Sequence, residues 1–168
     1  MDRIRVGVLT VSDGVARGLR EDRSGAAIAA WLEARGHVLA ERAVVADDAS
    51  AIAAILAAWA DSGGVDAVLT TGGTGLTPRD VTPEATLAVL EREAPGVAEA
   101  MRAAGAARTP FAWLSRGVVG VRSGVVIVNL PGSLGGVEDG LQVLAALLPH
   151  AVQLARGHDT ERHAGPNA

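Results

Sequence analysis

Residues 66–84, DAVLTTGGTGLTPRDVTPE, are the most informative segment of the sequence. It begins with residues 66–70, whose apolar centre predicts a short strand. A loop rich in glycine and threonine follows. Thr82 then predicts the N-cap of a helix, with Pro83 at its first position and Glu84 placed to interact with the helix dipole. A strand that passes through a loop directly into a helix is the unit from which α/β folds are built.

The same alternation continues towards the N-terminus. Residues 4–11 and 38–45 are rich in β-branched residues and predict two further strands. An amphipathic helix follows each of them. The first helix is predicted to begin with Ser24 as its N-cap and to end at Gly36, and the second carries its apolar face on residues 52–59.

Towards the C-terminus, residues 118–121 and 125–130 predict two strands joined by a turn at residues 122–124. The helix after the glycine-rich loop is predicted to break at residues 94–96, and a final helix carries leucines at 141–148. Strands and helices in this order predict a three-layer α/β/α fold, with a mostly parallel sheet that includes one antiparallel hairpin.

Length and composition predict one domain. The chain has 168 residues, of which 49% are hydrophobic and 20% are charged, enough to bury a core. We expect residues 1–157 to form this domain and residues 158–168 to be a polar C-terminal tail. The first apolar run is too short to cross a membrane and lacks the cleavage region of a signal peptide, so we expect a cytoplasmic protein with no membrane partner.

The residue types present exclude several kinds of chemistry. The chain has no Cys and no Tyr, and all 15 of its basic side chains are arginines. A Cys nucleophile, a thiolate zinc site, a Lys Schiff base and a lysine-containing phosphate loop are therefore excluded. With a net charge of −4 and 2% aromatic residues, the chain lacks the basic and stacking surfaces that nucleic-acid binding uses, so we expect no nucleic-acid partner.

Ligands of open α/β sheets bind at the carboxyl ends of the strands. Four polar segments of this chain are predicted to lie at that edge. They are Ser12-Asp13 after the first strand, Asp47-Asp48 after the second, the glycine-rich loop after the third, and residues 129–133 after the last. Each contains groups suited to an anion or a metal ion.

The glycine-rich loop, Thr71-Gly72-Gly73-Thr74-Gly75, is the first candidate site. Glycines between a strand and a helix let backbone amides approach a phosphate with no Cβ in the way. The loop lacks the lysine of a nucleoside-triphosphate loop, and it follows the third strand where the dinucleotide fingerprint would follow the first. The alternative is a tight turn that needs positive φ angles.

Asp47 and Asp80 are the second candidate. Each precedes a predicted helix, so either one alone is interpreted as a helix cap or a solvated turn residue. If both face the glycine-rich loop, two carboxylates beside a polyphosphate require a cation, and Mg2+ is the ion suited to that environment.

Four further side chains are candidates with two interpretations each. Arg79 and Arg116 suit phosphate oxygens, because a guanidinium grips two oxygens at once, or they lie on the surface with no ligand. Ser115 and Asn129 either hydrogen-bond a ligand or satisfy the backbone of turns.

Taken together, these motifs resemble the molybdopterin adenylyltransferase family, which includes stand-alone bacterial enzymes of molybdenum cofactor synthesis and the G domain of gephyrin. The resemblance covers roughly residues 4–157. It rests on Val8-Leu9-Thr10-Val11-Ser12-Asp13, Glu21-Asp22-Arg23-Ser24-Gly25, Thr70-Thr71-Gly72-Gly73-Thr74-Gly75, Pro78-Arg79-Asp80-Val81-Thr82-Pro83-Glu84-Ala85-Thr86, Leu114-Ser115-Arg116 and Asn129-Leu130-Pro131-Gly132-Ser133.

The resemblance implies a molybdopterin-binding fold and a reaction in which ATP and molybdopterin give adenylylated molybdopterin and pyrophosphate, with Mg2+ as cofactor. It also implies a homotrimer and partners among other proteins of molybdenum cofactor synthesis. Asp47 and Asp80 match the essential acids that hold the metal, and residues 71–75 match the nucleotide and pterin loop. The lining positions that match are Ser12, Asp13, Ser115, Arg116, Asn129, Pro131, Gly132 and Ser133.

One position departs from the family pattern, because Ala46 stands where many members have Pro. Proline would fix φ at that turn, but the change removes no functional group. Two alternative functions are kept. One is a non-catalytic carrier or scaffold protein that binds molybdopterin in the same pathway, and the other is a nucleotide hydrolase that uses the same loops.

Overall fold

The computed structural model describes residues 3–158, and residues 159–168 of the expected tail lie outside the described part of the chain. The described chain contains six strands and six α-helices, which alternate except where α2 follows α1 and β6 follows β5. The strands are β1 (Arg5–Val11), β2 (Val38–Val45), β3 (Ala67–Thr71), β4 (Arg92–Glu93), β5 (Val119–Arg122) and β6 (Val125–Leu130). The helices are α1 (Asp13–Ala16), α2 (Arg23–Ala34), α3 (Ala49–Asp61), α4 (Thr82–Leu87), α5 (Pro95–Ala106) and α6 (Leu134–Ala155), and a 3-10 helix covers Pro110–Leu114.

The strands form one sheet in the order β2-β1-β3-β6-β5-β4. Strands β2, β1, β3 and β6 are parallel to one another. Strand β5 pairs antiparallel with β6, and β4 pairs antiparallel with β5. Strand β2 lies on one side of β1, and β3 lies on the other. The strand order therefore reverses at β1, which creates a switch point at the carboxyl ends of β1 and β3. The predicted fold class is confirmed.

Helices cover both faces of the sheet. On one face, α2, α5 and α6 pack on alternate strand residues, with Leu32 and Leu144 fully buried between the layers. On the other face, α3 and α4 pack on the intervening residues around Leu56 and Ile127. Every residue of β3 and β6 is buried because both faces of these strands are covered, and this explains their apolar starts, residues 67–69 and 125–128.

The predicted hairpin between β5 and β6 is confirmed. Its two turn residues, Ser123 and Gly124, have φ angles of 49° and 74°, as a two-residue hairpin turn requires. The helix predicted after the glycine-rich loop is wrong in its extent. Helix α4 ends at Leu87, and the short edge strand β4 pairs with β5 before α5 begins at Pro95.

Two predicted N-caps are wrong. The N-cap of α2 is Asp22, whose Oδ1 accepts the amide of Gly25 at 2.9 Å, and Ser24 lies inside the first turn. Thr82 is the first residue of α4, after Val81 at the N-cap position. The Thr82 hydroxyl donates instead to the carbonyl of Gly72 at 3.0 Å, so it ties the helix to the glycine-rich loop.

No helix within residues 3–158 has both the length and the apolar character needed to cross a membrane.

Candidate active site

Parallel pairing brings the predicted segments to one edge of the sheet. Thr71 at the end of β3 is paired with Thr10 of β1 and with Leu130 of β6. The loops that follow these strands therefore start side by side. The Thr71 hydroxyl donates to the carbonyl of Pro131 at 2.7 Å, which joins the glycine-rich loop to the segment after β6.

Two cavities open on either side of the glycine-rich loop. The β1-side cavity has a volume of about 550 Å³ and lies between this loop, the end of β1 and residues 20–24. The β6-side cavity, of about 580 Å³, lies between the loop, α5, the 3-10 helix and the start of α6. Both are lined by Gly73, Asp80, Gly132 and Ser133, so these residues form the boundary between them.

Backbone geometry requires glycine in the loop. Gly72 and Gly73 have φ angles of 95° and 67°, a region that side chains with a Cβ rarely adopt. A Cβ on Gly72 would lie 2.2 Å from the carbonyl oxygen of Val11, and one on Gly73 would lie 2.3 Å from the Thr82 hydroxyl. The interpretation as a turn that needs positive φ is therefore correct for these two residues.

The same loop also presents unpaired donors. Within the described chain, the amides of Gly73, Thr74 and Gly75 donate to no protein acceptor. Three successive amides without partners form a concave donor surface of the kind that binds phosphate oxygens. The turn interpretation and the phosphate interpretation therefore concern different atoms of one loop, and the geometry that requires glycine leaves the amides available to a ligand.

Asp47 is fixed by a reciprocal pair of hydrogen bonds with Asp13. The amide of Asp13 donates to Asp47 Oδ2 at 2.9 Å, and the amide of Asp47 donates to Asp13 Oδ1 at 3.0 Å. The N-cap of α3 is the neighbouring Asp48, which accepts the amide of Ala51 at 2.7 Å. The interpretation of Asp47 as a helix cap is therefore wrong, and its Oδ1 lies 3.2 Å from the position of a Cβ on Gly73.

Asp80 uses one oxygen to close the end of the loop. Its Oδ2 accepts the amide of Thr77 at 2.9 Å and the Thr77 hydroxyl at 2.8 Å. The N-cap position of α4 belongs to Val81, so Asp80 is a turn residue and not a helix cap. The same oxygen lies 2.8 Å from the position of a Cβ on Gly75, which places the carboxylate against the glycine-rich loop.

The two carboxylates fit a magnesium site that substrate completes. Among the described residues, Oδ1 of Asp47 and Oδ1 of Asp80 accept no hydrogen bond, and both residues line the β1-side cavity. No group of three or more acidic or histidine side chains with metal-site geometry exists between residues 3 and 158. Mg2+ is bound through one or two carboxylates together with phosphates and water, so two acids are sufficient.

Arg79 and Asp13 form a partly exposed ion pair beside Asp47, and neither residue lines the two cavities. Arg79 Nη2 lies 2.8 Å from Asp13 Oδ2, and Arg79 Nε donates to the same oxygen at 3.1 Å. The hydrogen bonds from Arg79, assisted by the amide of Asp47, hold the pKa of Asp13 below its ordinary value. Arg79 is thus paired within the protein, as is Ser12, whose hydroxyl accepts the amide of Val15 as the N-cap of α1.

Asn129 is buried and supports the loops from below. Its side-chain amide donates to the hydroxyls of Thr70 and Thr86, each at 3.0 Å, and its Oδ1 accepts the amide of Val118 at 3.2 Å. Its side chain therefore binds protein atoms, which favours the structural of the two interpretations. Ser133 caps α6 by accepting the amide of Gly136 at 3.2 Å.

Ser115 lies on the wall of the β6-side cavity. The neighbouring Arg116 packs against the loop that carries Gly75 and Asp80. The Ser115 hydroxyl accepts the amide of Gly117 at 3.3 Å and lines the cavity. The Arg116 guanidinium donates to the carbonyls of Gly75 and Asp80 and to the carboxylate of Glu84. These donors point at the protein, which favours a structural role over the interpretation as a phosphate ligand.

Several residues that line the cavities carry no signal in the sequence. Arg20 and Arg23 border the β1-side cavity. Arg102, Arg108 and Phe111 border the β6-side cavity. Apart from Arg23, which lies in the motif at residues 21–25, these residues come from segments with no glycine motif or spacing pattern. Only the packing of α2, α5 and the 3-10 helix around the loops brings them to the site.

Comparison with known proteins agrees with this geometry. A family model described as "Probable molybdopterin binding domain" matches residues 7–150. The chain is 37% identical to the molybdopterin adenylyltransferase of Helicobacter pylori J99, over 94% of this chain and 91% of that protein. The corresponding protein of Escherichia coli K12 is 36% identical, over 94% and 88% of the two chains.

Longer relatives contain a similar region. The bifunctional molybdenum cofactor biosynthesis protein of Synechococcus elongatus is 44% identical over 90% of this chain, which spans 47% of that protein. Among solved structures, the molybdopterin biosynthesis enzyme MoaB of Thermus thermophilus superimposes with a TM-score of 0.86 at 49% identity, covering 92% of this chain and 97% of that one. The chain therefore belongs to the molybdopterin-binding domain family of molybdenum cofactor biosynthesis.

Proposed function

We propose that this protein adenylylates molybdopterin, using MgATP and releasing pyrophosphate. The observation that carries the proposal is the shared boundary of the two cavities. One loop with three unpaired amides separates two spaces large enough for a substrate each, and two carboxylates with unpaired oxygens flank it. A reaction between the phosphates of two bulky substrates needs this arrangement, because the reacting groups must meet while the rest of each substrate is held apart.

The contents of the cavities support one assignment. The β1-side cavity holds Asp47, Asp80, Arg20 and Arg23, which suit the triphosphate of ATP with its magnesium ion. The β6-side cavity adds apolar side chains to a polar floor, which suits a flat pterin ring. Two bacterial relatives that match this chain along most of their length are named molybdopterin adenylyltransferase, and that name supports the same pair of substrates.

The residues of the chain act by position and charge. The terminal phosphate oxygen of molybdopterin attacks the α-phosphorus of ATP, and the bond from that phosphorus to the pyrophosphate oxygen breaks. The amides of Gly73, Thr74 and Gly75 donate to the oxygens of the transferred group. Asp47 and Asp80 would hold Mg2+, which neutralises the charge that develops on the leaving pyrophosphate.

We also propose that the enzyme is a homotrimer that acts in the cytoplasm, where ATP is available, alongside other proteins of molybdenum cofactor synthesis. Apolar side chains on the surface support self-association. Phe111 and Trp113 of the 3-10 helix are 74% and 57% exposed, and Leu154 of α6 is 50% exposed. Phe111 and Trp113 lie on one short helix, and neighbouring exposed apolar groups of this size are typical of an interface.

Incubation of the protein with ATP, Mg2+ and molybdopterin tests the proposal. We expect pyrophosphate and adenylylated molybdopterin in equal amounts, with neither formed when Mg2+ is removed by a chelator. If molybdopterin binds and no pyrophosphate is released, the carrier function is correct. If ATP is hydrolysed at the same rate without molybdopterin, the nucleotide hydrolase is correct.

A further inference from the structure

Arg116 binds, at several points, the segment that carries the reactive groups of the site. Its amide donates to the carbonyl of Thr74 at 2.8 Å, its Nε to the carbonyl of Gly75 at 2.7 Å, and its Nη2 to the carbonyl of Asp80 at 2.7 Å. Its Nη1 donates to the carboxylate of Glu84 on α4. One residue thus binds both ends of the loop at residues 74–80 and the helix that follows it.

The loop has few other attachments. Leu76 at its centre is 65% exposed, so burial of apolar surface contributes little there. Within the loop, the hydrogen bonds run between Thr77 and Asp80, including the amide of Asp80 to the carbonyl of Thr77 at 3.0 Å. These bonds close the turn, and Arg79 ties it to Asp13 through an ion pair at its exposed side. Arg116 alone among these contacts binds backbone carbonyls at both ends of the loop, those of Gly75 and Asp80.

Arg116 is itself held from two sides. Arg102 of α5 donates Nη1 to the carbonyl of Ser115 at 3.2 Å and to that of Gly117 at 3.0 Å, which fixes the backbone on both sides of Arg116. Glu84 supplies the opposite charge, and its hydrogen bond with Arg116 lowers the pKa of Glu84. The positive charge of Arg116 is therefore offset by a carboxylate before any substrate is present.

We propose that Arg116 is a positioning residue for the adenylyl transfer, acting through the amides of residues 74–75 and the carboxylate of Asp80, and that it binds no substrate phosphate. The inference rests on the proposed function for its effect on catalysis. Its effect on the loop does not depend on that function. A guanidinium is required because its planar fork donates in several fixed directions, which a lysine ammonium on a flexible stem does not reproduce.

The first measurement needs no substrate and follows hydrogen exchange in the free protein. In Arg116→Lys, we expect the amides of Thr77 and Asp80 to exchange about tenfold faster than in the wild type, while amides of β3 are unchanged. Arg122→Lys is the matched control, because Arg122 likewise binds a carboxylate, that of Asp61, and a backbone carbonyl, that of Val89, away from the cavities. It should leave the exchange of the loop unchanged. Equal exchange in wild type and Arg116→Lys would overturn the proposal whether or not the protein is an adenylyltransferase.

The second measurement separates positioning from phosphate binding. If Arg116 positions the loop, Arg116→Lys lowers kcat by about ten- to a hundredfold, the effect of displacing reactive groups by about an ångström, and changes the KM of ATP and of molybdopterin much less. It also raises the Mg2+ concentration needed for half-maximal rate, because Asp80 is displaced. If Arg116 is a phosphate ligand, the KM of one substrate rises and the magnesium requirement stays the same, which would contradict the proposal.

Glu84→Gln gives opposite signs under the two accounts. A positioning role predicts that kcat falls, and that Glu84→Gln combined with Arg116→Lys is less harmful than the two separate effects multiplied, because both changes break one contact. A phosphate-binding role predicts that removing the competing carboxylate frees Arg116 and lowers the KM of the substrate it binds. A lower KM with kcat retained in Glu84→Gln would therefore overturn the proposal.

Discussion

Replacement of Asn129 by alanine should destabilise the folded protein even when no ligand is present. The side chain is 1% exposed and makes three hydrogen bonds, to the hydroxyls of Thr70 and Thr86 and from the amide of Val118. A typical internal hydrogen bond contributes about 1 kcal/mol net, so the loss of all three lowers the free energy of unfolding by about 3 kcal/mol. For a protein of this size, that corresponds to a fall in Tm of about 6–12 °C.

Urea unfolding and differential scanning calorimetry of the ligand-free protein measure the effect. Thr70→Val is the companion variant, because it keeps the shape of the side chain and leaves one N–H of Asn129 unpaired. We expect it to be destabilised by about 1–3 kcal/mol, and the double variant to be less destabilised than the sum of the two single changes. The structural role is refuted if the free energy of unfolding of Asn129→Ala lies within about 0.5 kcal/mol of the wild-type value while its affinity for ATP or molybdopterin falls. Asn129 would then contact the ligand.

Two further predictions concern stability and assembly. Burial raises the pKa of Asp66, but hydrogen bonds from Arg5, together with the charge of Arg156, outweigh this and hold the pKa below its ordinary value. Its contribution to stability is therefore complete above about pH 3.9, the pKa of an unfolded aspartate, and is lost as the pH falls through the lower folded value. Asp66→Asn should be destabilised by about 2 kcal/mol in urea at pH 7 and by less near pH 3, and an equal difference at both pH values would contradict the assignment. Light scattering at micromolar concentration should give about three times the chain mass of 17.0 kDa, and a monomer mass would exclude the trimer.

The architecture could be predicted from the sequence because its signals are local. Short runs rich in β-branched residues indicate buried strands, and the pair Ser123-Gly124 indicates a hairpin turn. Helix starts were less predictable where a polar side chain has a distant partner. The Thr82 hydroxyl bonds to Gly72, 10 residues away, and Val81 occupies the N-cap position that was predicted for Thr82. The edge strand β4 has two residues and no periodicity to detect.

The candidate site was predictable in position but not in its internal contacts. The rule that ligands bind at the carboxyl ends of parallel strands places the loops after β1, β2, β3 and β6 together. Which side chains remain available there depends on contacts distant in sequence. The Arg116 side chain bonds to partners that precede it by 32 to 41 positions in the sequence, and Asn129 bonds to Thr70, which precedes it by 59 positions. Neither partner set has a signature in the sequence, so a residue expected to touch ligand and one that supports the loop look alike.

The proposed mechanism requires Asp47 and Asp80 to bind the magnesium ion of ATP during adenylyl transfer. Its most direct test is the rate of pyrophosphate release, with ATP, Mg2+ and molybdopterin saturating, in Asp47→Asn, Asp80→Asn and the control Asp48→Asn. Asp48 is adjacent and caps α3, a role that Asn fills nearly as well. We predict that turnover falls on the order of a hundredfold or more in each of the first two variants and stays near the wild-type rate in the control. Near-normal turnover in both Asp47→Asn and Asp80→Asn would contradict the account.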